Sequence, residues 1–232
     1  MWWNGLDLPQ LLAGLAVRIF IILGVLPVHE LAHGYAAYKL GDDTAKKNGR
    51  LTLNPIAHMD WLGAASILLF GFGWAKPVPV NPYKFRDQQK RRQGMALTAF
   101  AGPLSNLLVA IIATFILRGF ACSANTYDNL NMMNWAYYIL SLIIFINIGL
   151  AIFNMIPVPP LDGSRILMAI FPENVGNYFE RYGLLFAIIL MIALKFFGGP
   201  LAFIQEKCFE GIYLGADWLY NLVGLAAHWE IV

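Results

Sequence analysis

Charge is scarce in this chain. Only 13% of its 232 residues are Asp, Glu, Lys or Arg, against roughly 25% in an ordinary soluble domain. Cysteine is scarcer still. Cys122 and Cys208 are the whole complement, which excludes a disulfide framework and a Cys-rich metal site. Neither sign of charge dominates, and a net charge of +2 is too small to draw in nucleic acid. Met1 to Asp7 contain no lysine or arginine. The basic start of a cleaved signal peptide is therefore missing, and the amino end is expected to stay in the mature protein. Linkers, low-complexity tracts and internal repeats are also lacking.

Apolar side chains are what the chain has in excess, at 59%. That excess makes the lipid bilayer part of its solvent. A hydrocarbon core of about 30 Å needs about 20 apolar residues as helix. Four stretches approach that length: Leu11 to Tyr38, Met95 to Leu117, Trp135 to Ile156 and Tyr182 to Phe197. A fifth, Trp61 to Trp74, is short for a span and holds Gly63, Gly71 and Gly73.

The charges assign that short piece. Ten of the sixteen basic residues lie between Lys39 and Arg92, on both sides of it. Basic loops stay in the cytoplasm, so both flanks are expected inside and Trp61–Trp74 is expected to re-enter. The segment Gly119–Asn134 has no lysine or arginine and is expected to face outward. The resulting fold class is an all-α membrane protein. It is a polytopic helical bundle with about four to six transmembrane helices and a short re-entrant or β-hairpin segment. Residues 1–232 form one integral-membrane domain with its core at about 11–198. The remainder, 199–232, either lies in the interface or crosses once more.

His29-Glu30-Leu31-Ala32-His33 carries the chemistry. Histidines four apart in a helix point from one face and can grip one zinc ion. Glu30, one residue along, is placed to take a proton from an attacking water and return it to the leaving amine. Two histidines and a glutamate inside a membrane helix are costly, which favours function over chance.

A catalytic zinc takes a third protein ligand. Asp162, in Leu161-Asp162-Gly163, follows a helix broken by Pro157, Pro159 and Pro160. Taken alone it reads as a helix cap. Parity changes that reading, because helix one and helix three both end inside, and so His29, His33 and Asp162 meet on the cytoplasmic side. His58 reads as a loop residue at the membrane surface. Arg18 either faces the bundle or snorkels.

Taken together, these pieces resemble the site-2 protease family of intramembrane zinc metalloproteases. The matching segments are His29–His33, Ala101-Gly102-Pro103-Leu104-Ser105-Asn106, and Asn154 to Gly163. Gly73-Trp74-Ala75-Lys76-Pro77-Val78-Pro79-Val80-Asn81-Pro82 resembles the compact bacterial branch, which lacks PDZ and CBS modules. The resemblance implies one Zn2+ held by His29, His33 and Asp162, with Glu30 as general base and acid. It also implies roles near the metal for Asn106 and Asn154. A buried amide there can donate to a developing oxyanion, although Asn106 reads equally well as an interhelical hydrogen bonder. Gly102 and Pro103 read as loosening the start of a helix.

The implied activity is hydrolysis of a peptide bond within or near a transmembrane segment. The implied substrate is a transmembrane protein or a remnant signal peptide, cut in the cell membrane. Val78–Val80 could hold that substrate by strand addition. Two other readings of the same residues are a membrane metal transporter and an inactive helix-binding relative.

Overall fold

The computed structural model describes residues 7–70, 73–123, 130–171, 181–183, 185–186, 189–190 and 199–222. Helix is the regular structure throughout, and no strand occurs among the described residues. Three helical stretches are long and apolar enough to cross a membrane: Leu8–Leu40, Arg91–Phe120 and Asn134–Asn154. The expected span Tyr182–Phe197 falls largely outside the described residues.

The first rod begins at a capping box. Asp7 accepts from the Gln10 backbone N–H at 2.8 Å, and the Gln10 side chain accepts from the Asp7 N–H, which satisfies two exposed donors at the helix start. The rod consists of α1 (Leu8–Phe20) and α2 (Leu26–Leu40), joined by a π-helical turn, Ile21–Val25. Pro27 lacks the N–H that would bond the Leu23 carbonyl, so the ladder shifts register two residues before His29. Gly41 ends the rod at φ 113°, in the left-handed conformation that glycine adopts without Cβ strain.

Two short helices follow, α3 (Thr44–Lys47) and α4 (Pro55–His58). Then α5 (Trp61–Phe70) enters as a ten-residue apolar helix, and an extended segment, 73–80, returns beside it. The two limbs touch at glycine. A Cβ on Gly63 would lie 3.0 Å from the Trp74 carbonyl carbon and closer still to its oxygen. The ends are tied together where the Lys76 N–H donates to the His58 carbonyl at 2.9 Å. Both ends of this hairpin therefore lie on one side, as the charge pattern requires. The return limb is extended and does not pair as a β-hairpin. Arg18 donates to the Ile67 carbonyl at 2.8 Å, so it pins α5 to α1 and does not snorkel.

At the centre is α6 (Arg91–Ser123), packed against α2, α7 (Leu130–Asn154) and α8 (Asp162–Ile170). Ala110, Ala113 and Leu117 meet Ile144 and Ile148 of α7 in one buried cluster. Small side chains on α6 let the two backbones approach closely. A second cluster packs Val17, Ile21 and Val25 against the opposite flank of α7. Helix α6 extends to Ser123 and α7 starts at Leu130, so helix takes up much of the segment read as an outer loop.

The last described helix, α9 (Gly199–Leu222), lies along α6 and α7. Gln205 donates to the Phe145 carbonyl at 2.7 Å, and the Tyr220 hydroxyl donates to the Phe115 carbonyl at 2.8 Å. Buried Arg118 of α6 pairs with Asp217 and donates to the Tyr213 hydroxyl.

Candidate metal centre

Three side chains from two distant parts of the chain converge between α2, α6 and α8. His29 and His33 project from one face of α2, as a spacing of four requires. Asp162 is the first residue of α8, whose N-cap position is Leu161. The expected cap role does not apply to Asp162. Its Oδ2 lies 3.2 Å from His29 Nε2 and 3.2 Å from His33 Nε2. The two Nε2 atoms are 3.0 Å apart, and all three residues are buried. No other group of three His, Cys, Asp or Glu ligand atoms comes together among the described residues.

The protonation of this triangle is constrained. His33 Nδ1 lies 2.7 Å from the Thr98 carbonyl oxygen. A carbonyl only accepts, so Nδ1 carries the hydrogen and Nε2 offers a lone pair. In the neutral ring that lone pair faces the Asp162 carboxylate at 3.2 Å, and a cation between them relieves their repulsion. Ligands 2.0–2.1 Å from a tetrahedral zinc are separated by about 3.3 Å. The observed separations fit one such ion.

Two glycines make room for this arrangement. A Cβ on Gly102 would lie 2.6 Å from His29 Cε1 and nearer still to His33 Nε2 and Cε1. Only a bare backbone lets α6 approach the imidazole pair so closely. This is a more specific task than loosening a helix. Pro103 follows it and removes one helical hydrogen bond, to the Ala99 carbonyl. A Cβ on Gly163 would lie 2.6 Å from the Ile156 carbonyl oxygen and nearer to that of Met155. Gly163 therefore permits the tight turn that aims Asp162 back at α2.

Glu30 does not join the triangle in this structure. Its Oε2 accepts from the Val78 N–H at 2.8 Å, which couples it to the return limb of the hairpin. Asn106 is buried, four residues past Gly102 on the same face of α6, and its Oδ1 has no partner among the described residues. Asn154 ends α7 and donates to the Leu150 carbonyl at 3.0 Å. Asn147, which the sequence reading passed over, is fully buried two turns earlier, with its Oδ1 unpartnered among the described residues. His58 is buried as well, contrary to the surface reading. Its Nε2 donates to the Thr52 carbonyl at 2.8 Å, which braces the base of the hairpin.

The sequence profile of peptidase family M50 matches residues 17–198. The chain belongs to peptidase family M50. Among its relatives is "Putative zinc metalloprotease YwhC" of Bacillus subtilis. It is 43% identical over 173 residues, which cover 71% of this chain and 75% of the relative. "Putative zinc metalloprotease Rip2" of Mycolicibacterium smegmatis is 23% identical over 97% of this chain and 82% of its own length. "Zinc metalloprotease MJ0392" of Methanocaldococcus jannaschii is 30% identical over 68% of this chain and 35% of its own length. No solved structure matches the chain. This M50 peptidase is a zinc metalloprotease and a membrane protein, and among the described residues the buried triangle fits zinc.

Proposed function

We propose that the protein cuts a peptide bond within or near a transmembrane segment of another membrane protein. His29, His33 and Asp162 would hold the zinc, and Glu30 would carry the proton. The observation that carries this reading is the 3.0–3.2 Å triangle at the ends of membrane-length helices. The ligands sit in the last third of the first rod and just past the end of α7. Both places adjoin the basic loops, so the site faces the cytoplasmic side of the cell membrane. Water reaches it from there.

Zinc, when bound, supplies a Lewis acid that polarises a carbonyl and brings the pKa of water towards roughly 7. The chain's own residues do the rest. Glu30 takes the proton of the attacking water and delivers it to the leaving amine. Its present partner, the Val78 N–H, belongs to an extended limb with a useful asymmetry. Pro77 and Pro79 have no N–H, so only the edge bearing Val78 and Val80 can donate to an added strand. That edge faces Glu30. A substrate unwound along it takes over the Val78 N–H and frees Glu30 to carry the proton. Asn106, on the face of α6 that carries Gly102, could turn its amide N–H towards a substrate carbonyl or its developing oxyanion. Asn154, at the end of α7, would take a supporting role near the metal.

Replacing Glu30 with Gln tests the reading in liposomes. Zinc content should stay at the wild-type level, while cleavage of a transmembrane reporter stops. Undiminished cleavage would refute the role of Glu30. Zinc uptake by vesicles holding the variant would point to transport instead.

A further inference from the structure

A cavity of about 530 Å³ opens next to the metal centre. Val78 and Val80 form one wall, Arg91 and Arg92 from the first turn of α6 another, and Ser164 and Arg165 from α8 a third. Three arginines line it, and among the described residues its lining includes no aspartate or glutamate. Two of the guanidiniums have structural tasks. Arg92 donates to the Met168 carbonyl, and Arg91 lies 4.6 Å over the Tyr83 ring. Arg165 differs from both. It is half-buried and has no hydrogen-bond or ion-pair partner among the described residues. Like charges gathered in one partly enclosed cavity raise a positive potential that favours an anion beside Arg165. A guanidinium presents a fork that matches a carboxylate bidentately.

The place of this cavity says whose carboxylate it takes. Val78 lines it, while the Val78 N–H is held by Glu30. Arg165 lies one helical turn past Asp162 on α8. A substrate strand that takes the Val78 N–H from Glu30 and adds to the Val78–Val80 edge runs along the cavity mouth. Strand side chains alternate between faces, so one of every two substrate residues there points into it. We infer that Arg165, with Arg91 and Arg92, forms a specificity subsite for an Asp or Glu side chain of the substrate, on the cytoplasmic side of the scissile bond. This rests on the intramembrane peptidase reading above. Cytoplasmic flanks of membrane proteins are usually basic, so a demand for an acid there would set substrates apart from the bulk of membrane proteins.

The test uses the full chain with zinc in liposomes, and single-span reporters. An aspartate is moved through the cytoplasmic flank of the scissile bond, with Asn and Lys versions at each position. At one position the Asp reporter should be cut with a kcat/KM about tenfold or more above the Asn reporter, chiefly through KM. Arg165→Glu should reverse the order, so that the Lys reporter exceeds the Asp reporter. A merely structural arginine could not produce that reversal. If Arg165→Glu loses zinc, Arg165→Ala replaces it and should flatten the preference several-fold. The same reporter ranking in wild type and variant overturns the inference. So does a rate set by anionic lipid content and indifferent to reporter charge, which would assign the cavity to lipid phosphate. Equal cleavage of all reporters by the wild type sinks the subsite alone. Cleavage of none sinks the peptidase reading beneath it as well.

Discussion

Replacing Gly102 with Ala adds one methyl group at the tightest point of the metal centre. That methyl would lie 2.6 Å from His29 Cε1 and nearer still to two atoms of the His33 ring. Non-bonded carbons rest at about 3.5–4.0 Å, so the imidazoles or α6 must yield by about 1 Å. The His33 ring cannot swing freely, because its Nδ1–H is bonded to the Thr98 carbonyl at 2.7 Å. Thr98 is on the same helix as Gly102, so a shift of α6 moves both constraints together. Zinc sites tolerate about 0.2 Å of ligand displacement, and the required shift is several times larger. Loss of a partner that merely orients a ligand costs 10–100-fold in metal affinity. Gly102→Ala should cost at least that, about 1.4–2.7 kcal/mol. The assay is zinc content after equilibration against a graded chelator, with circular dichroism to show that helix is retained. Gly211→Ala is the matched control, because a Cβ there meets open space and alanine favours helix. Wild-type zinc affinity in Gly102→Ala would refute the claim that the bare backbone at 102 makes the site.

Further outcomes follow from the same contacts. Val78→Pro removes the N–H held by Glu30 at 2.8 Å. It should leave zinc bound and lower reporter cleavage roughly tenfold, the worth of a hydrogen bond to a charged group, and unchanged kinetics would separate Glu30 from the return limb. Gly163→Ala places a methyl against the Met155 and Ile156 carbonyls; chelator titration should find weakened zinc binding, since the turn that aims Asp162 must open. Arg118→Ala leaves Asp217 without its partner. Thermal unfolding in detergent should register a loss of about 1–2 kcal/mol, less than for a fully buried pair because the Asp217 side chain is 29% exposed, with zinc content preserved because Arg118 lies roughly four helical turns along α6 from Gly102.

How much of this could be read in advance depends on how local each signal is. Apolar run length, the basic clusters around Trp61–Trp74 and the four-residue spacing of His29 and His33 are written in neighbouring residues. Parity extended them once, by placing Asp162 on the side of the histidines. The return of 73–80 beside α5, with the two ends of the hairpin together, was legible for the same reason: both flanks are basic. His58 and Arg18 were less legible. A polar residue near a membrane surface looks the same in sequence whether it faces water or, as here, braces a carbonyl at the base or tip of a hairpin.

By itself, then, the order of residues determined that the chain lives in lipid, where its long helices lie and which side chains could bind a metal. Solvent transfer and helical period act over a few residues and need no partner. The tertiary structure alone decided what stands against those side chains. Thr98 reaches His33 across 65 positions and Val78 reaches Glu30 across 48, Gly102 covers the imidazoles, and the three arginines share one cavity. Contacts of that kind depend on how helices cross, which sequence spacing does not encode.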